Sequence, residues 1–137
     1  YLIKSREHFK KDKEPEKVYY CDEYLAVCYI ELNNGVEATV HAQKALDFAI
    51  TAQNRCLETW AKYRLGCAKV LLAELDEAEE LLHNALSINA NSIDTDWELT
   101  IELEKEIANI LTTKGRVTEA DEIRRRIKTL EETIKGE

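Results

Sequence analysis

The chain has 137 residues and a mass of 15.8 kDa, with 27 acidic against 19 basic side chains and a net charge of −8. That length supports one domain with a real core, while a single proline and four glycines leave little turn chemistry for a β-sandwich. Composition therefore points to an all-α chain. The acidic balance argues against nucleic acid as a direct partner, and no apolar run approaches the roughly 18 residues of a membrane span.

Residues 1–14 begin "YLIKSREHFKKDK", which reads as a preceding or capping helix stopped by Pro15, a residue suited to a helix start and not to its middle. Ten of the first 17 residues are charged, unlike a signal peptide, and no Met begins the chain, so it is read as a piece of a longer intracellular protein. A first helical hairpin is expected over 16–55, broken at Asn33-Asn34-Gly35. A second is expected over 56–93. Its stretch "LGCAKVLLAELDEAEELLHNAL", residues 65–86, places Leu65, Ala68, Leu72, Leu75, Ala78, Leu82 and Ala85 at spacings of three and four, so periodicity alone draws one unbroken helix. A third hairpin is expected over 94–135, with its break at Lys114-Gly115. Within it Ile123, Ile127, Leu130 and Ile134 form a stripe suited to packing on the rest of the chain; the mixed signs on its polar face argue against a membrane surface.

The three segments repeat one another. Small residues stand at Ala26, Gly66 and Ala108; twelve positions later come Ala38, Ala78 and Ala120, and seven further Ala45, Ala85 and Ile127. This resembles the tetratricopeptide repeat (TPR), in which small residues let two antiparallel helices approach and large ones fill the gap to the next unit. The resemblance covers about residues 18–135 and implies an all-α, α-α superhelical solenoid of antiparallel helix pairs. It gives Ala26, Ala38, Ala45, Gly66, Ala78, Ala85, Ala108 and Ala120 the role of packing residues. It also answers the question of the long periodic stretch: the alignment puts a turn near Ala73 to Asp76, with Asp76 as N-cap and Glu79 as its reciprocal partner, and Thr118 with Asp121 as a weaker version. The spacing departs from the standard repeat, being 40 and then 42 residues against about 34. Such longer-helix repeats are similar to those of kinesin light chains and Pins-type polarity adaptors, which implies a cytoplasmic, cytoskeleton-associated setting.

Nothing in the chain marks a reactive centre. Cys21, Cys28, Cys56 and Cys67 form no C-x-x-C pair, and the three histidines lie at no zinc-ligand spacing. Cys21 and Cys28 on one helix would be about 10 Å apart, too far for a disulfide. All four read as small apolar packers, with no orienting group for a cysteine nucleophile. No enzyme activity, metal, cofactor or small-molecule substrate is expected.

What the resemblance implies instead is a concave surface lined by the first helix of each unit: Tyr20, Glu23, Tyr24, Val27 and Ile30, then Trp60, Tyr63, Arg64, Cys67 and Val70. Tyr20, Tyr24, Val27, Trp60, Tyr63 and Arg64 are the candidates for partner contact, with aromatics and Arg being the residue types of binding hot spots. The other reading of Trp60 and the tyrosines is burial against the long neighbouring helices. A chaperone-tail clamp is not expected: Glu23, Val27 and Trp60 stand where its cations and amide belong, only Arg64 fits its later half, and Lys105 with Asn109 match its first half only in the third repeat, where a fourth would have to follow. From Glu74 to Glu106 eleven acidic residues face Lys105 alone, either a solvated face or a surface that attracts a basic segment. The expected function is a protein-interaction or scaffolding module that binds a partner peptide or helix. The alternatives are a structural element of a larger assembly and the regulatory domain of an enzyme whose catalytic part lies elsewhere.

Overall fold

The computed structural model describes residues 15–136, which form six α-helices and no strand. They are α1 (Pro15–Glu31), α2 (Gly35–Thr51), α3 (Arg55–Leu71), α4 (Leu75–Ala90), α5 (Trp97–Thr113) and α6 (Val117–Gly136). The preceding or capping helix expected over 1–14 lies outside the described residues. Three hairpins, α1–α2, α3–α4 and α5–α6, fall on the three repeats read from the sequence; α3 begins at Arg55, one residue ahead of the expected boundary. The length added to each repeat appears as helices of 16 to 20 residues.

Four connections share one geometry. Asn33, Gln53, Ala73 and Gly115 each stand two residues past a helix end with positive φ (58°, 55°, 60° and 84°). The next residue's N–H then bonds back to a carbonyl five residues earlier: Asn34 to Tyr29, Asn54 to Ala49, Glu74 to Lys69 and Arg116 to Leu111. This left-handed stop satisfies the orphan carbonyls of the outgoing helix and reverses the chain in three residues, so neighbouring helices must run antiparallel. The turn hidden in the long periodic stretch is therefore real, and it falls at Leu72–Glu74. Side-chain caps begin three of the helices: Asn34 accepts from the Glu37 N–H, Asn54 from Leu57 and Asp96 from Leu99.

Two expected caps are corrected. Helix α4 starts at Leu75 with Glu74 at its N-cap position and no side-chain cap bond. Asp76 is already inside the first turn, and its carboxylate pairs with Lys114 of the next hairpin rather than with its own backbone. Likewise Thr118 lies within α6, one residue past its start at Val117, where it cannot serve as N-cap.

Each helix packs on the next, and α1 also approaches α3 and α3 approaches α5, whereas the backbones of α2, α4 and α6 come nowhere within 8 Å of one another. The closer row of α1, α3 and α5 is thus the inner side of a solenoid-like array. All eight packing residues named above are buried. Gly66 shows why size matters: a Cβ there would stand 2.9 Å from Leu82 Cγ and Cδ2, so α3 and α4 meet with no room for a methyl group. One core cluster gathers Tyr19, Ala26, Ala42, Ala45, Leu46, Ala49, Leu57, Ala61 and Leu65. The other runs from Tyr63 and Leu82 to Ile107, Ile123 and Ile127, with Leu130 and Ile134 packed against it, so the α6 stripe lies on its own chain. Inside the first hairpin the buried His41 holds Asp22 at 3.1 Å and stacks on Tyr29. No helix among the described residues is long and apolar enough to cross a membrane.

Candidate partner-binding surface

The inner row carries the residues that the sequence nominates, but it treats them unequally. Tyr20 (54 % exposed) and Tyr24 (59 % exposed) stand out from α1 one turn apart, with Val27 half-buried one further turn along. Tyr63 is corrected: it was expected to point away from the core, yet it is only 8 % exposed and belongs to the second core cluster. The reason is the neighbouring helix. Glu102 and Glu106 of α5 act on the Tyr63 phenol, so α5 covers that side of α3, and burial pushes its pKa up to about 12.

Trp60 and Arg64 lie half-buried on the same face of α3. The Arg64 guanidinium rests 4.9 Å from the Tyr63 ring centre and 5.4 Å from that of Trp60, with Glu23 of α1 3.6 Å from its Nε. A cation over two rings with a carboxylate across the groove links α1 to α3, while the buried Arg64 Nε has no hydrogen-bond partner among the described residues. Cys67, one turn on, is half-buried and packs against the second core cluster, and burial first, then Glu106, pushes its thiol up to about 12.

Sequence reasoning missed the third wall. Carrying the repeat register forward one unit from Trp60 and Arg64 arrives at Glu102 and Glu106 on α5, so the signal was present. Glu102 has Lys105 at 3.9 Å, whereas no cation pairs with Glu106 among the described residues. Burial and the adjacent Glu102 raise the Glu106 carboxyl above its ordinary value. Between α3 and α5 the surface dips into a depression of about 390 Å³ lined by Trp60, Asp96, Glu98, Leu99, Ile101, Glu102, Lys105 and, from α6, Glu131. Trp60 also walls a second cleft of about 350 Å³, which reaches Arg55, Cys56, Asn89 and Asp94.

Much of the acidic run from Glu74 to Glu106 is spent inside the fold. Glu74 and Glu77 hold Lys69 at 2.9 and 3.1 Å, Asp76 and Glu79 converge on Lys114, and Glu104 meets Arg126 at 3.1 Å. Of the carboxylates in this run left without an ion pair among the described residues, Glu98 lines the depression, Glu106 stands one turn beyond Glu102, and Glu80 and Asp94 lie elsewhere on the surface. Among the described residues no group of three or more His, Cys, Asp or Glu side chains converges as metal ligands. No protein-family model matches the chain, and no solved structure matches it with significance.

Proposed function

We propose that the chain is a TPR-like interaction module that binds a peptide or helix of another protein on the inner face of α1, α3 and α5. The observation that carries this reading is the pair Tyr20 and Tyr24, exposed side by side on the inner row and continuous with Val27, Trp60 and the Arg64 pair. Large rings held out of the core on a rigid helix supply contact area at low entropic cost, which is what a binding hot spot needs. The repeated left-handed turns and the buried small residues support the TPR assignment, because they place three like hairpins in one register. In this reading the chain has no chemistry of its own and works in the cytoplasm as an adaptor or scaffold.

The test is a pull-down with the chain as bait, captured proteins being identified by mass spectrometry, run beside the Tyr20→Ala/Tyr24→Ala double variant. Both rings are exposed, so the variant should melt with the parent while losing the captured protein. Equal capture by parent and variant refutes the groove. A second reading, a structural element inside a larger assembly, is favoured by the burial of Tyr63 and half-burial of Trp60. It predicts that nothing is captured specifically by the isolated chain.

A further inference from the structure

We infer that the segment received by this face is basic: a stretch of another protein whose lysine or arginine enters the depression between α3 and α5 while its apolar side chains rest on Tyr20 and Tyr24. The inference rests on the groove reading and adds the chemistry of the partner. Four carboxylates, those of Asp96, Glu98, Glu102 and Glu131, line the depression against one cation, Lys105, with the Trp60 indole as a wall. Asp96 is occupied in capping α5, and Lys105 faces Glu102. Glu98 and Glu131 remain, and Glu106 stands unpaired one turn beyond Glu102. Glu106 and Glu131 are half-buried while Glu98 and Glu102 are exposed; carboxylates gathered in this way repel unless a cation arrives, and an aromatic wall adds attraction for that cation.

The chain itself displays the arrangement on the adjoining stretch of groove. Arg64 lies over Trp60 and Tyr63 with Glu23 opposite, so a guanidinium, two rings and a carboxylate already coexist on this face. Between α3 and α5 the same Trp60 ring meets four carboxylates with Lys105 as the one cation among them. An acidic segment entering the depression would meet four carboxylates and a single cation, Lys105, which already faces Glu102. The chain's overall charge of −8 steers basic partners in the same direction.

Phage-displayed random peptides selected on the full chain provide the probe, and the enriched peptides are then synthesised and titrated by fluorescence polarisation. Enrichment of peptides combining Arg or Lys with aromatic or large aliphatic residues is expected. Their affinity should fall about tenfold or more when Glu102→Gln and Glu106→Gln are combined, fall again when salt is raised, and be lost with Tyr20→Ala/Tyr24→Ala. Acidic or neutral peptides that bind and are lost with the tyrosine variant overturn the charge inference while leaving the groove intact. Basic peptides indifferent to both double variants overturn the groove itself, as does the absence of any enriched peptide. Concentration-dependent dimerisation abolished by the same glutamate changes would make a second copy of the chain the occupant, and would likewise overturn the inference.

Discussion

Gly66 offers a direct test of how closely α3 and α4 approach. In an open helix, Gly→Ala stabilises by about 1 kcal/mol through backbone entropy alone. Here the added methyl would lie 2.9 Å from Leu82 Cγ and Cδ2. Leu82 is fully buried and cannot swing aside without disturbing Ala78 and Ala85 in the same cluster. Overpacking of this kind costs about 1–3 kcal/mol, so Gly66→Ala should come out destabilising by about 1 kcal/mol net and Gly66→Leu by 2 or more. The decisive measurement is the same change in a Leu82→Ala background. That background itself costs about 3 kcal/mol, but with the obstructing carbons gone Gly66→Ala should recover its stabilising sign, giving a coupling of about 2 kcal/mol in a double-mutant cycle. Urea unfolding of the four proteins supplies the numbers. If Gly66→Ala stabilises the parent by the full open-helix amount, the helices are not in close contact at Gly66 and the packing argument fails.

The left-handed positions make a second set. Ala73→Gly and Gln53→Gly should each raise stability by about 0.5–1 kcal/mol, and Gly115→Ala should lower it by about 1 kcal/mol although the methyl would meet nothing within 4 Å; thermal melts decide the signs. Asn54→Ala removes the cap on Leu57 N–H and should cost about 1 kcal/mol, whereas Thr118→Ala, lacking a cap role, should change the melting midpoint little. Acid titration followed by circular dichroism reads the tie between α4 and the α5–α6 turn: hydrogen bonds from Lys114 lower the Glu79 and Asp76 carboxyls. Their contribution is therefore complete above the ordinary carboxylate range and is lost as the pH falls through their depressed values, a loss that Lys114→Met should abolish. Glu106 runs the other way, because its raised carboxyl penalises the fold at neutral pH and the penalty is relieved on acidification. Glu106→Gln should accordingly melt higher than the parent at neutral pH and level with it in acid; a lower midpoint at neutral pH would mean that Glu106 has a stabilising partner.

The hairpins were readable because small residues at fixed spacing record where helices must approach, and that constraint acts through side-chain volume, which sequence displays directly. The turn at Leu72–Glu74 was readable only by comparison with its siblings. Asn33 and Gly115 announce a left-handed residue, but Ala73 adopts φ 60° with no such preference, because the hairpins packed around it outweigh the local cost. The expected Asp76 cap failed for a related reason: a local motif was in competition with a long-range ion pair, and Lys114, 38 residues away, held the carboxylate. Tyr63 shows the same limit at the candidate site. Its position in the repeat faces the groove, yet the neighbouring first helix reaches far enough to cover it, and coverage depends on the spacing between α3 and α5 rather than on any residue near Tyr63.

The glutamates of α5 join these two themes. A chain selected only for stability would gain by replacing Glu106 with an uncharged residue, since the carboxylate is half-buried beside Glu102 and no cation pairs with it among the described residues. Four carboxylates earlier in the acidic run are matched: Lys69 answers Glu74 and Glu77, and Lys114 answers Asp76 and Glu79. On the inner face the mismatch gathers at Glu98, Glu102 and Glu106 of α5, where an incoming lysine or arginine would complete it. A neutral Gln at Glu106 separates the two consequences, because it should strengthen the fold and weaken the complex at once, whereas a purely structural glutamate would lose stability on the same substitution.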